Sequence, residues 1–446
     1  MPEVLITGLS STGEGIGRVG GKVVFIPFTL PGEVVEWELS ESKKSYDRGR
    51  VLRIIEPSLD RIEPPCPFFM ECGGCQLQHL DLVRQGKEKE KWFREGLVHA
   101  LKSDGFPMLS PLISPDGFGY RHRLQLKTAR GDSKWIVGFF GRKSHQVIGM
   151  DRCLLANEGV NRVLGHLGEA LEVLPEREES PEIELQLYEE SGRGGMVLTF
   201  IRMIKPCSRR DLTRALLALP GMDYVLFRER SSFHLVREHR FDPKKDSPEY
   251  FVPALGSTGS ASLRLKSFPL VFTQANLALN KRLIESLEDR DIFGREDLVV
   301  DFYSGLGNLS LPLARVVQEV VGIESFPPAV DNAMWNQEVN GIFNSTFLQG
   351  TAEEGGTLLK PFGKKINWII LDPPRSGAKE VISLLDGKTI PTEGIIYLSC
   401  NPQTLFRDLS LLKDQGWKVQ WSQVIDFFPQ TYHLESLTLL RREGGK

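Results

Sequence analysis

The stretch Leu298-Val-Val-Asp-Phe-Tyr-Ser-Gly-Leu-Gly-Asn308 decides the fold of the C-terminal part of this 446-residue chain. Its apolar first half predicts a short buried strand, and the glycine-rich second half predicts a turn that opens a helix reaching Ala314. Val320–Glu324 predicts the next strand, so Glu324 lies 23 residues after Asp301. A strand, a glycine-rich turn, a helix and a second strand together predict a parallel βαβ unit.

The same alternation continues toward the C-terminus. Trp368–Asp372 and Gly394–Cys400 are further predicted strands, so we predict an α/β fold with a doubly wound sheet and helices on both faces. Ligands of such sheets bind outside the carboxyl ends of the parallel strands. Four charged or reactive residues end predicted strands and are therefore expected in one crevice: Asp301, Glu324, Asp372 and Cys400.

The turn at Gly305 and Gly307 predicts a ligand that approaches the backbone closely. An acidic residue that ends the following strand, as Glu324 does, is typical of ribose binding. The third glycine of the dinucleotide pattern is missing, so S-adenosylmethionine, which has no pyrophosphate, suits the turn better than a dinucleotide does. On these residues alone, an ordinary strand–helix turn with a surface glutamate remains an alternative.

Rigid corners hold further candidate groups beside this crevice. In Asp372-Pro-Pro-Arg375, two prolines remove two backbone donors and present the Asp carboxylate. Cys400, within Ser399-Cys-Asn-Pro402, is a candidate nucleophile whose reactivity depends on forming a thiolate. Glu435 precedes an apolar strand, where partial desolvation would suit a general base. Each of these residues, taken singly, also has a purely structural interpretation.

The cysteines indicate a metal site rather than disulfides. Three of the six form a Cys-x5-Cys-x2-Cys run and a fourth follows later in the chain: Cys66, Cys72, Cys75 and Cys153. Four thiolates suit either an iron–sulfur cluster or structural zinc, and the spacing does not choose between them. Buried thiols without a metal are the remaining alternative.

Changes in composition along the chain predict three domains. Residues 1–58 contain four or five short strands separated by Gly and Pro turns, which predict a small OB-like barrel. Residues 59–265 contain the cysteine run and then mostly strand patterns. Residues 266–446 carry the α/β pattern.

Charge is balanced overall but not locally. The chain has 55 Lys and Arg against 58 Asp and Glu, whereas residues 84–152 hold 14 basic and 7 acidic residues. Such a segment suits a polyanion, although a solvated helix face explains the charge equally well. No apolar run approaches the ~18 residues of a membrane span, and no signal segment begins the sequence, so we expect a cytoplasmic protein without membrane contact.

Together these motifs resemble the RNA 5-methyluridine (uracil-C5) methyltransferases. Within that family the chain is similar to the 23S ribosomal RNA enzymes that carry an N-terminal TRAM domain and a [4Fe–4S] cluster. The resemblance covers essentially the whole sequence and is weakest over residues 155–250. The motifs that carry it are Cys66–Cys75 with Cys153, Val271–Asn276, Asp301–Asn308, Asp372–Arg375, Ser399–Pro402 and His433–Glu435.

The resemblance implies a Rossmann-like methyltransferase domain, a TRAM barrel that binds RNA, and a mostly β central domain with an iron–sulfur cluster held by Cys66, Cys72, Cys75 and Cys153. Cys400 would be the nucleophile that adds to C6 of uracil, and Glu435 the base that removes the C5 proton. Tyr120–Gln125 would lie on the RNA face. The S-adenosylmethionine site would be lined by Gln274, Tyr303, Asn308, Glu324 and Asp372.

Three alternatives accompany this interpretation. A 5-methylcytidine methyltransferase also uses a cysteine nucleophile, but it is not expected to combine Asp-Pro-Pro-Arg with His-Leu-Glu. A non-catalytic RNA-binding module would be expected to lack Cys400 or Glu435, and both are present. The same reaction on the T-loop uridine of transfer RNA is the nearer alternative. The TRAM-like N-terminus and the cysteine run favour 23S ribosomal RNA.

Overall fold

The protein consists of a small barrel followed by two larger sheets. No helix among the described residues is long and apolar enough to cross a lipid bilayer. The computed structural model describes residues 2–132, 134–175, 180, 182–190, 193–202, 206–220, 222–228, 235–237, 242–256, 261–288, 290, 292–362 and 366–442.

The N-terminal region is a closed five-stranded barrel with the order β1-β2-β3-β5-β4. Alternate apolar residues, among them Ile6, Val24, Ile26 and Val35, are buried in its core. This confirms the barrel predicted at the N-terminus. Its strands are β1 (Glu3–Leu9), β2 (Glu14–Val19), β3 (Lys22–Pro27), β4 (Val34–Ser42) and β5 (Tyr46–Glu56).

The central region is built on a seven-stranded sheet with the order β13-β12-β11-β10-β7-β8-β9, as its strand patterns predict. A two-stranded sheet of β14 and β15 follows it. The elements are α1 (Leu82–Leu101), β6 (Met108–Ile113), β7 (Arg123–Arg130), β8 (Trp135–Phe140), β9 (Val147–Gly149), α2 (Glu158–Leu164), α3 (Leu167–Ala170), β10 (Glu182–Glu190), β11 (Arg193–Arg202), α4 (Pro206–Leu217), β12 (Met222–Arg228), β13 (Leu235–Arg237), α5 (Pro243–Asp246), β14 (Glu249–Pro253) and β15 (Ser262–Lys266).

The C-terminal region is an eight-stranded sheet with the order β18-β17-β16-β19-β20-β22-β21-β6. Strands β16 to β20 are parallel, and β22 runs antiparallel to both β20 and β21. The elements are α6 (Leu277–Glu288), β16 (Leu298–Phe302), α7 (Ser310–Leu313), β17 (Glu319–Glu324), α8 (Pro327–Val339), β18 (Ser345–Gln349), α9 (Gly355–Leu358), β19 (Ile366–Leu371), α10 (Lys379–Leu384), β20 (Thr392–Ser399), α11 (Pro402–Asp414), β21 (Trp417–Asp426) and β22 (Glu435–Arg442).

Helices cover both faces of this sheet, which confirms the predicted doubly wound α/β fold. Successive residues of a strand point to opposite faces, so Val299 packs in the core with α6 and α8, whereas Val300 packs in the core with α10 and α11. Each face therefore excludes water from one side of every central strand. The strands are held rigid, and their carboxyl ends are left as the fixed edge on which a site can be built.

Two elements from the middle of the chain belong to the C-terminal sheet. Strand β6 pairs in parallel with β21, with Ser422 opposite Met108. Helix α1 packs against α11 and buries Phe93 and Leu97 in the core on that face. The predicted domain boundary at residues 265/266 therefore separates β6 and α1 from the sheet to which they belong. Local sequence patterns do not show which distant strand an edge strand joins.

Candidate active site

The carboxyl ends of neighbouring strands bring the predicted residues to one edge of the sheet. Asp301 lies in β16 and Glu324 ends β17, while Asp372 follows β19 and Cys400 follows β20. Because β17, β16, β19 and β20 are consecutive parallel neighbours, these four residues lie along one edge of the sheet, the candidate crevice.

Glu435 approaches the same crevice from an antiparallel strand. It is the first residue of β22, whose Ser436 pairs with Ser399 of β20. Cys400 follows Ser399 and Glu435 precedes Ser436, so the thiol and the carboxylate occupy facing ends of two paired strands. Glu435 is 5% exposed, and its carboxylate interacts electrostatically with the Cys400 thiol.

Hydrogen bonds fix the corner that presents Cys400. The Asn401 backbone N–H donates to the Ser399 hydroxyl at 3.2 Å, and the Asn401 side chain accepts from the Gln403 N–H at 3.2 Å to cap α11. The same side-chain amide donates to the carbonyl of Arg375 at 3.0 Å. The turn after β19 and the turn after β20 are therefore tied to each other.

Burial and neighbouring carboxylates oppose ionisation of both candidate catalytic groups. Burial raises the pKa of Cys400 to about 11, with Glu435 and Asp372 adding to the effect and Arg375 opposing it. Burial also raises the pKa of Glu435 to about 8, again with a contribution from Asp372. The free protein therefore holds mainly a thiol and a carboxylic acid here at neutral pH.

A row of acidic side chains continues from this pair along the crevice. Burial raises the pKa of Asp372 to about 7, and Asp301 adds to that effect. Burial likewise raises the pKa of Asp301 to about 7, with Glu324 contributing, although the Ser310 hydroxyl donates to the Asp301 carboxylate. An acidic crevice of this kind favours a cationic ligand.

The glycine-rich turn leaves space at the other end of the row. Gly305 has φ +54°, and a Cβ placed there would meet no atom within 4 Å. Its N–H donates to Glu324 at 3.1 Å, and the Phe326 N–H donates to the other carboxylate oxygen at 2.8 Å. Both oxygen atoms of the Glu324 carboxylate are thereby fixed next to the open turn.

Two buried side-chain oxygen atoms among the residues predicted for this site have no hydrogen-bond partner within the described part of the chain. They are Oδ1 of Asp301 and Oε1 of Gln274, and these residues are 1% and 6% exposed. A buried acceptor without a donor is costly unless a ligand supplies one. These two acceptors are therefore candidates for contacts with a ligand.

Tyr303 and Asn308, the other two residues predicted to contact the cofactor, have different surroundings. Tyr303 lies at the start of the turn with φ +65°, a conformation that a non-glycine residue adopts only where its surroundings impose it. Asn308 is engaged already, because its amide forms two hydrogen bonds of 2.9 Å with Asn280 and accepts from the Tyr250 hydroxyl at 3.2 Å. Sequence reasoning did not foresee that amide pair.

The segment 427–434, which joins β21 to Glu435, carries functional candidates that the motifs only partly indicate. The His433 ring lies 4.5 Å from the Tyr432 ring, and burial lowers the pKa of His433 to about 4, so that it is neutral at pH 7. The Arg121 guanidinium lies 5.4 Å from the Phe428 ring. Aromatic rings on the segment that leads to Glu435, with a guanidinium against one of them, are groups of the kind that hold an unstacked base.

The predicted RNA face at Tyr120–Gln125 is only partly available. Arg123 forms an ion pair with Glu184 at 2.9 Å, and Gln125 donates to the same carboxylate at 3.2 Å. The Tyr120 hydroxyl donates to the carbonyl of Pro429 at 3.1 Å, so it supports the 427–434 segment. No local pattern predicts these partners, since Glu184 and Pro429 lie far from Tyr120–Gln125 along the chain.

The four predicted metal ligands line one cavity of about 80 Å³, between the cysteine run and strands of the central sheet. Its walls include the four cysteines together with Phe68, Arg121, Leu124 and Met150. Burial raises the pKa of Cys72, Cys75 and Cys153, and neighbouring thiols of the set add to the effect. The described residues contain no group of three or more His, Cys, Asp or Glu side chains placed to hold a metal ion.

Comparisons with known proteins agree with this architecture. The family pattern described as tRNA (Uracil-5-)-methyltransferase matches residues 257–443, and the TRAM domain pattern matches residues 2–52. The solved structure of the Pyrococcus abyssi tRNA (uracil-54, C5)-methyltransferase in complex with S-adenosyl-L-homocysteine superposes with a TM-score of 0.69. It is 21% identical and covers 98% of this chain and 100% of its own, which shows the shared fold.

Curated relatives extend the similarity over nearly the whole chain. The 23S rRNA (uracil(1939)-C(5))-methyltransferase RlmD of Shewanella sp. (strain MR-4) is 31% identical over 438 residues, which are 97% of this chain and 93% of the relative. The protein of the same name from Legionella pneumophila (strain Corby) is 32% identical over 441 residues, which are 98% and 96% of the two chains.

Proposed function

The chain belongs to the RNA uracil-C5 methyltransferase family, and we propose that its substrate is a uridine of 23S ribosomal RNA. It is accordingly an S-adenosylmethionine-dependent enzyme. Support for the ribosomal substrate comes from the relatives, which are named for that RNA and match this chain from the TRAM barrel to the last strand. A cytoplasmic location stays a prediction.

In this proposal Cys400 is the nucleophile and Glu435 the general base. The observation that carries the assignment is their placement on facing ends of β20 and β22, beside the acidic row that leads to the glycine-rich turn. The reaction needs a thiolate, a base and a methyl donor, and Cys400, Glu435 and the adjoining acidic row are the groups to which we assign these three roles.

In the assigned reaction, Cys400 and Glu435 act on neighbouring carbon atoms of the uracil ring. The Cys400 thiolate forms a bond to C6 of uracil, and the electron pair of the C5–C6 double bond moves to C5 and O4. S-adenosylmethionine, when bound, supplies the methyl group that C5 accepts. Glu435 then takes the C5 proton, the C5–C6 double bond re-forms, and the bond between C6 and sulfur breaks to release Cys400. The uridine has to leave its stack before this sequence begins.

The acidic row is assigned to the methyl donor. Glu324, fixed by two backbone N–H groups, would bind the ribose hydroxyls, and Asp301 with Gln274 would accept from polar groups of the ligand. Asp372 lies between this row and Cys400, so its carboxylate is placed to attract positive charge toward the reacting centre. Tyr303 and Asn308 would shape the turn, the latter through its amide pair with Asn280.

A [4Fe–4S] cluster held by Cys66, Cys72, Cys75 and Cys153 is part of the proposal. Support for it comes from the four thiols that line one cavity and from the family resemblance, which favours a cluster over zinc. The Arg121 guanidinium in the cavity wall lowers the cost of ionising Cys75 and Cys153. We assign the cluster a structural role, since the reaction contains no redox step.

The substrate is tested by methyl transfer to separated RNAs. The protein is incubated with tritiated S-adenosylmethionine and with 23S, 16S and transfer RNA from cells that lack uridine methylation. We expect label in 23S ribosomal RNA, located in 5-methyluridine after digestion to nucleosides. Label confined to transfer RNA would assign the enzyme to the T-loop instead, and label in cytidine would exclude the proposed chemistry.

A further inference from the structure

Lys89 is a buried charged residue that the reaction just described does not use. Its side chain, in the middle of α1, is 1% exposed. The ammonium group donates to the Asp426 carboxylate at 2.6 Å and to the Phe428 carbonyl at 3.1 Å. An ion pair this deeply buried gains little stability over apolar side chains of similar volume, so stability alone does not account for it.

The partners of Lys89 lie at the root of the segment that carries the proposed base. Asp426 is the last residue of β21, and its neighbour Ile425 pairs with Glu435 of β22. Phe428 is the second residue of the 427–434 segment that connects the two strands. The ammonium group therefore fixes the point where the chain leaves β21, one residue from the pairing that places Glu435.

A second contact from the same face of α1 holds the tip of the segment. Gln85 lies one helical turn before Lys89, accepts from the Gln430 N–H at 2.7 Å and donates to the Gln430 side chain at 3.0 Å. Gln430 has φ +70°, and its carbonyl accepts from the N–H groups of Gln76 and Leu77. A strained backbone of this kind persists only where the surroundings impose it, and here α1 and the 76–77 backbone impose it.

We propose that Lys89 is a positioning residue for the second half of the reaction: through Asp426 and the Phe428 carbonyl it fixes the 427–434 segment and thereby the Glu435 carboxylate. The inference rests on the proposed role of Glu435 as the base. Cys400 is held differently, by β20 and by the hydrogen bonds of Asn401. Loss of the Lys89 contacts therefore slows removal of the C5 proton more than it slows addition of the thiolate.

The test uses Lys89→Met, which keeps the length of the side chain and removes its charge. A base displaced by about 1 Å loses on the order of 10²-fold in rate, so we expect elimination to slow by about 10- to 100-fold. A covalent protein–RNA adduct containing the methylated base should then persist on a denaturing gel. The KM for S-adenosylmethionine should stay within about twofold of wild type, because the Lys89 contacts lie on β21 and the 427–434 segment rather than at the glycine-rich turn.

Lys266→Met is the matched control. Lys266 is 6% exposed and, like Lys89, pairs with one carboxylate, Glu249 at 3.0 Å, and one backbone carbonyl, that of Lys245 at 2.6 Å. It lies in β15, on the two-stranded sheet with β14. This variant should lose stability as Lys89→Met does and should accumulate no adduct. Equal adduct in the two variants would overturn the inference.

Two further variants separate the possible failures. Glu435→Gln tests the base itself: if it turns over normally without adduct, the proposed role of Glu435 fails. If Glu435→Gln accumulates adduct and a folded Lys89→Met does not, the positioning role of Lys89 alone is wrong. Should Lys89→Met not fold, Asp426→Asn decides, because it keeps the shape of the pair and removes one charge. The inference requires adduct in that variant, and its absence contradicts it.

Discussion

At the residue scale, the surroundings of Cys400 oppose the ionisation that its proposed role requires. Cys400 is half-buried beside Glu435 and Asp372, and this environment raises the pKa of its thiol to about 11. Reaction with uracil requires the thiolate, so the free enzyme is not poised for addition at neutral pH. Binding of a cation in the acidic crevice would oppose the effect of Asp372 and Glu435 and so favour the thiolate.

The pH dependence of the reaction follows from the same two groups. Glu435 acts as a base only when ionised, and its pKa is raised to about 8, while Cys400 attacks only as the thiolate. Raising the pH ionises more of both groups, so kcat/KM should rise from pH 6 to pH 9. Neither group becomes more active as the pH falls. Initial rates of methyl transfer measure the expected rise. A profile that is flat or falls over this range would contradict the assigned protonation states.

Local sequence predicts candidate site residues more readily than the contacts that support them. Cys400 and Glu435 stand in distinctive motifs, whereas Lys89 lies in a run of alternating charge that is typical of a solvated helix face. Its burial depends on Asp426, 337 residues later in the chain. Hydrophobic periodicity contains no information about such a pairing, and neither does charge alternation.

At the scale of elements, the central strands β16, β17, β19 and β20 were predicted to within a few residues, because apolar runs bounded by turn residues are the strongest local signal, whereas β18 and β21 were not predicted. Cys400, predicted as the end of a strand, follows β20 directly. The parallel edge strand β6 was not predicted, since Met108–Ile113 resembles any short apolar segment. Its place next to β21 is a matter of long-range register.

The glycine-rich turn allows a matched pair of substitutions. Gly305→Ala places a methyl group in open space, so its cost to folding is limited to the ~1–2 kcal/mol of a positive φ, whereas the methyl group of Gly307→Ala meets Leu311 at 2.9 Å. We expect Gly305→Ala to weaken S-adenosylmethionine binding by at least about tenfold with a small loss of stability. Gly307→Ala should lower the melting temperature more.

Calorimetric titration and thermal melting distinguish the two effects of this pair. If the turn binds the methyl donor, the dissociation constant changes in Gly305→Ala without a matching change in stability. An unchanged dissociation constant in a folded Gly305→Ala protein would move the ligand away from the turn, and Glu324 would then lose its assigned partner.

At the scale of the whole molecule, the three regions are joined through residues 61–77, the segment that contains Cys66, Cys72 and Cys75. The barrel contacts it through Arg61, which forms an ion pair with the buried Glu33 at 2.5 Å, and through Gly13 beside Leu77. The same segment donates two backbone hydrogen bonds to Gln430, next to the active site. A rigid group bound by the cysteines would therefore stiffen both the barrel junction and the 427–434 segment.

The metal content can be measured directly. Anaerobically purified protein should be brown and contain about four iron and four sulfide per chain, and Cys153→Ser should lose the colour. Binding of a cluster releases the protons of the thiols and keeps them as thiolates near pH 7, although burial raises the pKa of the free thiols. Colourless wild-type protein with one zinc per chain would show that the cluster assignment is wrong.

RNA binding should depend strongly on salt, since the contacts are proposed to be largely with phosphate. Lys87, Lys91 and Arg94 lie on one exposed face of α1, within the basic segment 84–152. Affinity falls as salt rises, and each phosphate contact makes the slope of log affinity against log salt steeper by about 0.7 to 0.9. Replacing all three by alanine should reduce that slope by about 2 in a filter-binding titration, and an unchanged slope would place the RNA on another face.

The central claim, that Cys400 and Glu435 act in succession on one uracil, is tested most directly by trapping the intermediate. Glu435→Gln and Cys400→Ala are each mixed with RNA and S-adenosylmethionine, denatured, digested with nuclease and weighed by mass spectrometry. A general base contributes ~10²–10⁴-fold, so Glu435→Gln should accumulate protein bound to a methylated nucleotide, and Cys400→Ala should form neither adduct nor 5-methyluridine. Turnover without adduct by Glu435→Gln, or methylation by Cys400→Ala, would contradict the account.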